Sequence, residues 1–181
     1  ALNFTLREPV GVAALIIPWN YPLLMAAWKI GPALAAGCAV ILKPAEQTPL
    51  TALEFAKLVQ KNIPDLPAGI FNVITGAAEA GKALVDSMHV DKVAFTGSAE
   101  VGRHILRGVA GSNLKKVSLE LGGKSPNIFF ADADLNAATD GALFGVFINQ
   151  GEVCSAGSRV LVQKDIYKKF LDVMKEKNKS I

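Results

Sequence analysis

Cysteine and histidine are scarce in this chain: 181 residues hold only Cys38, Cys154, His89 and His104. Two cysteines are too few for a disulfide scaffold, and no Cys-x-x-Cys pair or Cys/His cluster offers a zinc site, so no metal is expected. A reducing compartment, the cytoplasm, is the expected setting. Charge of one sign is also sparse. Nineteen Lys and Arg against sixteen Asp and Glu leave +3. That excess is too small and too dispersed for a nucleic-acid partner. The late lysines Lys168, Lys169, Lys175, Lys177 and Lys179 read as a solvated helix face. The dinucleotide fingerprint Gly-x-Gly-x-x-Gly is absent throughout, so a nucleotide would have to be held by another route. No signal peptide is read, because residues 2–9 are polar and mixed in charge. Residues 10–28 carry no charge, a length that could span a bilayer. Pro18, Asn20 and Pro22 fall in their middle and would break a spanning helix and leave backbone groups unpaired in lipid. A buried strand, a turn and a buried helix are expected there instead, and no membrane partner.

What is abundant is apolar residue, at 51%, in short β-branched runs that alternate with helical stretches. Strands are expected at residues 10–17, 39–43, 70–74, 92–95 and 116–120. Helices are expected at 22–37, from Thr48-Pro49 onward, near 78–85 and at 99–109. Pro22 stands in a first turn and Gly37 at an end. Thr48 reads as the N-cap of the second helix, with Pro49 its first residue and Leu53, Ala56 and Leu58 apolar. Such repetition implies right-handed crossovers and a Rossmann-like α/β fold, a parallel sheet with helices on both faces. Parallel strands covered on both faces account for the apolar richness.

The texture changes after Pro126. A strand at 127–130, a helix at 134–149 capped by Asp132 or Asp134, a strand at 159–162 and an amphipathic helix at 166–179 read as the start of a second α/β domain. The boundary is placed at Gly122-Gly123, giving a coenzyme-binding domain at 1–122 and an incomplete catalytic domain at 123–181.

In sheets of this kind ligands bind at the carboxyl ends of the strands. Five strand ends here carry polar or glycine-rich turns: Pro18-Trp19-Asn20, Lys43-Pro44-Ala45-Glu46, Thr75-Gly76, Thr96-Gly97-Ser98 and Glu120-Leu121-Gly122-Gly123. One such turn is a loop; five argue for a site. Thr96-Gly97-Ser98 runs into a helix, which reads either as an anion site or as Ser98 serving as an ordinary N-cap. Gly76 to Ala83 matches a phosphate loop through Gly81-Lys82 but has Ala83 where a hydroxyl must bind magnesium. A nucleotide triphosphatase is excluded on that ground, and the stretch reads as a turn into a helix with a solvated Lys82. Glu46, just past a strand, can accept hydrogen bonds from a ribose and would repel a 2′-phosphate; it reads equally as a surface glutamate. Cys38 lies in an apolar run and reads as a packed small hydrophobe. Cys154 sits in a small polar turn, where an exposed thiol is a nucleophile or an inert loop cysteine. Glu120 closes a strand where an apolar residue is expected. It suits a general base tuned by burial, or a salt-bridge partner of a lysine.

Taken together, five stretches resemble the aldehyde dehydrogenase superfamily, in its order and spacing and over essentially the whole chain. They are Pro18-Trp19-Asn20, Lys43-Pro44-Ala45-Glu46-Gln47-Thr48-Pro49, Phe95-Thr96-Gly97-Ser98, Leu119-Glu120-Leu121-Gly122-Gly123-Lys124-Ser125-Pro126 and Asn149-Gln150-Gly151-Glu152-Val153-Cys154. The resemblance implies NAD-dependent oxidation of an aldehyde to an acid through a cysteine thiohemiacetal and thioester. It implies Cys154 as nucleophile, Glu120 as base, and Asn20 with the Cys154 N–H as oxyanion donors. Lys43 and Glu46 would hold the adenosine ribose, Ser98 and Trp19 the pyrophosphate, and the Leu121 carbonyl the nicotinamide. Ile17, Gly76, Gly81 and Gly97 complete the implied cofactor-binding set. The turn from Thr75 to Gly81 is shorter than in close relatives, which alters the adenine pocket. Tyr21-Pro22-Leu23-Leu24-Met25 resembles the betaine and amino-aldehyde branch, where Tyr21 and Trp28 would line an aldehyde tunnel or simply pack. Against that family the N-terminal portion, the rest of the catalytic domain and the oligomerisation strands are missing. The full-length enzyme is implied to be a homo-oligomer. The isolated chain is expected to bind NAD weakly and turn over little; the alternative is a nucleotide-binding fragment without catalysis.

The two thiols should differ in reactivity, since thiolate fraction and access set alkylation rate. Peptide mapping after brief iodoacetamide treatment should find label at Cys154 before Cys38. Preferential labelling of Cys38 in folded protein would contradict the assignment.

Overall fold

The computed structural model describes residues 1–180. The chain divides into two compact units, Ala1–Leu121 and Gly122–Ile181.

In the larger unit the elements alternate: β1 (Val12–Ile16), α1 (Pro22–Ala35), β2 (Ala39–Lys43), α2 (Leu50–Asn62), β3 (Phe71–Val73), α3 (Ala78–Asp86), β4 (Lys92–Gly97), α4 (Ala99–Ala110) and β5 (Lys116–Leu121). Their sheet runs β3-β2-β1-β4-β5, parallel throughout. The three central strands are almost wholly buried, as their apolar runs require. Leu15 and Leu42, in register across β1 and β2, are 2% and 0% exposed. Truncating either to alanine should cost about 2–5 kcal/mol. One face carries a core of Ala13, Leu15, Ile17, Val40 and Leu42 with Met25, Ala26 and Ile30 of α1 and Ala52 of α2. The other packs Ala14, Val93 and Phe95 against Leu84 and Val85 of α3 and Ile105 and Val109 of α4. The helices therefore lie on both faces. Residues 10–28 form the strand, turn and helix start expected of them, and no helix among the described residues is long and apolar enough to cross a membrane.

Two details depart from expectation. Helix α2 begins at Leu50, and Thr48 does not cap it: no side chain does. Pro49 already has helical dihedrals (φ −82, ψ −19) and its carbonyl accepts from the Leu53 N–H, while the Thr48 hydroxyl is buried without a partner. The buried side of α2 is Ala52, with Phe55 packed on the core, and Leu58 is exposed. The third strand is also shorter, three residues at the sheet edge.

The smaller unit holds β6 (Pro126–Phe129), α5 (Leu135–Phe147), β7 (Arg159–Val162) and α6 (Tyr167–Lys177). Strands β6 and β7 pair in parallel. Phe170 of α6 is 1% exposed and its ring lies 4.9 Å from that of Phe129. Of the two candidate caps for α5, Asp134 serves: its Oδ1 accepts from the N–H groups of Asn136 and Ala137 at 2.9 Å each.

A buried lysine ties the larger unit together at the end where β5 begins. The ammonium of Lys115 donates to the carbonyls of Val85 and Ser87 (2.8 Å for the latter) and to the Ser112 hydroxyl at 3.2 Å. Burial pushes its pKa down, and Asp86 and Asp91 pull it partly back. The unfolded chain then holds this proton to higher pH than the folded one. Stability should accordingly rise with pH from the lowered folded pKa up to the unfolded value near 10.5. Lys115→Met should lose part of that rise in urea titrations. It should also destabilise the chain at neutral pH by about 1–3 kcal/mol, because two carbonyls lose their donor. An unchanged midpoint would contradict the account.

Candidate active site

The strand order reverses between β1 and β4: α1 and α2 carry the chain one way on one face, α3 and α4 the other way on the opposite face. At such a reversal the loops diverge and leave a crevice at the strands' carboxyl ends. A cavity of about 910 Å³ lies there. Three of the five turns contribute to it, and so does the start of α3. Ile17, Pro18 and Trp19 follow β1; Lys43, Ala45 and Glu46 end and follow β2; Ala77 to Glu79 with Gly81 and Lys82 follow β3; and Thr96, Gly97 and Ser98 end β4.

The local physics of each is visible. Lys43 is 5% exposed, its ammonium donating to the Pro44 carbonyl at 3.1 Å and lying 3.9 Å from the Glu46 carboxylate. Its aliphatic stem runs beside Gly81, where a Cβ would lie 3.8 Å away. Gly97 is required by close approach: a Cβ there would fall 2.4 Å from the Phe95 ring. Ser98 caps α4, its hydroxyl accepting from the Val101 N–H at 3.2 Å. The two readings of Ser98 are therefore compatible, since a capped helix N-terminus on a cavity wall still favours an anion. The Thr96 hydroxyl is buried without a hydrogen-bond partner among the described residues; alternation along β4 turns it away from Phe95, toward the face that Ala94 shares with α1.

The phosphate-loop resemblance fails structurally as well. Residues 78–82 are helical, so they cannot wrap a phosphate, and Lys82 pairs with Asp86 one turn on. Gly76 has φ +143 and makes the turn into α3 without lining the cavity.

Glu120 and Leu121 end the edge strand β5 and stand outside the cavity lining, as does Asn20, which is half-buried. Leu121 packs its side chain on Gly102 of α4. The expectation that burial tunes Glu120 is corrected here: its side chain is exposed. Strand β5 alternates half-buried and exposed residues, because its Val117, Leu119 and Leu121 face the α3–α4 core while Ser118 and Glu120 share the opposite, thinly covered face. On that face Lys92 donates to Ser118 at 2.7 Å, and Thr96 pairs in register with Glu120.

One residue near Glu120 escaped the sequence reading. Lys29 of α1 is half-buried, and burial pushes its pKa down. The Glu120 carboxylate pulls it up, and Lys92 pushes it down again. A lysine in an apolar helix that stays partly buried was the available signal, but only the packing of α1 on this face pairs it with a carboxylate.

In the smaller unit Cys154 is exposed, whereas Cys38 in the larger unit is buried in the core. A tight turn carries Cys154: the Ala156 N–H donates to the Val153 carbonyl at 3.1 Å and the Ser158 N–H to the Ala156 carbonyl at 2.8 Å. Buried Ala156 anchors it.

The aldehyde dehydrogenase family profile matches residues 1–181. The chain belongs to the aldehyde dehydrogenase family. An aldehyde dehydrogenase of Emericella nidulans is 59% identical over 177 residues, covering 97% of this chain and 35% of that protein. The human mitochondrial aldehyde dehydrogenase is 54% identical, covering 94% and 33%. Among solved structures, a betaine aldehyde dehydrogenase from Staphylococcus aureus in complex with NAD+ superposes with a TM-score of 0.91 at 48% identity, over 96% of this chain and 34% of that one. A gamma-glutamyl-gamma-aminobutyraldehyde dehydrogenase from Burkholderia cenocepacia gives 0.90 at 53% identity, over 93% and 34%. This aldehyde dehydrogenase chain thus spans about a third of the length of the relatives it matches.

The Lys29–Glu120 coupling has a measurable sign. Removing the carboxylate with Glu120→Gln should lower the Lys29 pKa further, because the upward pull of that charge is lost. Side-chain NMR titration reads this directly; an unchanged or raised value would mean that the two groups do not interact.

Proposed function

We propose that a protein carrying this chain oxidises a small aldehyde to the carboxylic acid with NAD. The observation that carries the reading is the cavity at the strand reversal, with Lys43, Glu46, Gly97 and Ser98 on its wall, in a member of the aldehyde dehydrogenase family. The residues fit a dinucleotide. The cavity has the volume of a cofactor site, a helix N-terminus faces it, and Gly81 and Gly97 leave room on its wall beside Lys43. Residues 1–122 act as the coenzyme-binding domain and residues 123–181 as the start of the catalytic domain.

Lys43 and Glu46 hold the adenosine ribose. Ser98 and Trp19 contact the pyrophosphate. Ile17, Gly76, Gly81 and Gly97 shape the walls and turns around the nucleotide, and the Leu121 carbonyl orients the nicotinamide. When bound, NAD supplies the hydride acceptor.

Cys154, as thiolate, adds to the carbonyl carbon, forming a C–S bond and placing a negative charge on the carbonyl oxygen. The Asn20 amide and the Cys154 N–H donate to that oxygen. Re-formation of the C=O bond expels the hydride and leaves a thioester on Cys154. Glu120 then takes a proton from water, the hydroxide adds to the thioester carbon, and the C–S bond breaks to release the acid and the thiolate. A thiol suits both halves, as nucleophile and as leaving group.

Similarity to a betaine aldehyde dehydrogenase and an amino-aldehyde enzyme favours a polar, amine-bearing aldehyde, with Tyr21 and Trp28 of α1 along its path. A homo-oligomeric enzyme in the cytoplasm completes the reading; two free thiols suit a reducing compartment.

Calorimetry tests it. NAD should bind more tightly than NADP by on the order of tenfold, because Glu46 opposes a 2′-phosphate. Glu46→Gln should narrow the gap, and ATP–magnesium should not compete. Equal affinities for NAD and NADP would sink the Glu46 assignment. Cys154→Ala should abolish NADH formation from aldehyde in any form of the protein that turns over, and retention of turnover would remove Cys154 as nucleophile.

A further inference from the structure

Between the end of α5 and the turn that carries Cys154 the backbone changes hand. Asn149 (φ 50, ψ 42), Gln150 (φ 60, ψ 19) and Gly151 (φ 80) are three successive residues with positive φ. Glycine adopts this region freely and asparagine tolerates it, whereas for other L-residues the Cβ crowds the following carbonyl. Gln150 is therefore the residue that the conformation penalises. The run is tightly held. The Glu152 N–H donates to the Asn149 carbonyl at 3.0 Å. A Cβ on Gly151 would lie 3.2 Å from the Val146 carbonyl, so the run folds back on the last turn of α5. On the far side of Cys154, a Cβ on Gly123 would lie 3.2 Å from the Cys154 carbonyl, so the nucleophile's backbone is seated against that glycine. Gln150 itself is exposed, and among the described residues its side chain makes no hydrogen bond.

A costly backbone conformation, at a residue whose side chain holds nothing, points to the backbone as what matters there. We propose that Gln150 is a positioning residue for Cys154. Extended Ile148 (φ −52, ψ 137) ends α5; the left-handed conformation of Gln150 then turns the chain back and delivers the Cys154 carbonyl onto Gly123, which sets the direction of the thiol. A right-handed or extended Gln150 would send the chain after Ile148 in another direction, and Cys154 would leave its seat. The mechanistic meaning of this rests on the reading of Cys154 as nucleophile; the geometric claim does not.

The test replaces Gln150 by residues ranked by tolerance of positive φ rather than by chemistry: Gln150→Gly, Gln150→Asn and Gln150→Val. Two quantities are read on each chain. The first is hydrogen exchange at the Glu152 and Ala156 amides. The second is the iodoacetamide rate at Cys154 across pH, set against a synthetic peptide of residues 149–158. The glycine and asparagine variants should keep amide protection and the Cys154 rate within about threefold of the parent, although neither retains the glutamine side chain. The valine variant should lose protection by tenfold or more, and its Cys154 rate and pH profile should move to those of the peptide. If valine prevents the unit from folding, Gln150→Thr, β-branched but polar, serves as the change in the same direction, with the same loss of protection expected. A glycine variant that behaves like valine overturns the proposal in favour of a side-chain role. A valine variant that behaves like the parent, or a parent Cys154 rate already equal to the peptide's, overturns it outright. A failure of the nucleophile reading would show separately, as aldehyde oxidation that survives Cys154→Ala while the exchange pattern stands.

Discussion

The architecture of the larger unit hangs on the pairing of β1 with β4. Strand β1 is the one strand with β2 on one side and β4 on the other, so it is where the chain's progress across the sheet turns round. Parallel pairing requires each connection to cross a face, and the two crossings nearest β1 use opposite faces. The helices then cover both surfaces, and the three middle strands become the dry interior that their composition demands. The same reversal separates the loops after β1 and β4, which leaves a crevice across the strand ends.

That constraint explains the distribution of charge in the site. Lys43 can be buried because its stem has Gly81 beside it and its ammonium reaches a carbonyl and a carboxylate. Ser98 satisfies the first turn of α4 and in doing so faces the helix N-terminus to the cavity. Glu120 belongs to a different environment. It ends an edge strand on a thinly covered face, where its charge acts on Lys29 and where Thr96 is its neighbour across the ladder. The cavity wall and the candidate base are thus built from two sides of one sheet, joined through β4.

In the smaller unit the controlling feature is local. Helix α5 is capped at its start by Asp134 and ended by extended Ile148; a left-handed run of three residues follows, and then the turn with Cys154. A helix can end with a single left-handed glycine; three positive-φ residues in a row hold the following segment in a direction that one residue would not impose. Relatives of three times the length share this segment's sequence neighbourhood, yet the geometry at Cys154 is made by residues within the unit itself.

Much of this was legible in the residues. Alternating β-branched runs and helical stretches, Pro22 and Gly37 as punctuation, and Asp134 before α5 set the order and type of the elements, because such signals act over a few residues. The motif order around Asn20, Lys43, Glu46, Ser98, Glu120 and Cys154 placed the chain in its family. Boundaries were less legible: Thr48 has the chemistry of a cap, but Pro49 had already taken helical dihedrals. Only the tertiary structure decided which strands are edges, that Glu120 stands exposed, that Lys29 couples to it, and that the Thr96 side chain is buried on the face it shares with Glu120. Each of these depends on neighbours tens of residues away, and local periodicity carries no information about them. The handedness of Gln150 belongs with these, since its own propensity opposes the conformation and only the packing of Gly151 on α5 and of Cys154 on Gly123 imposes it.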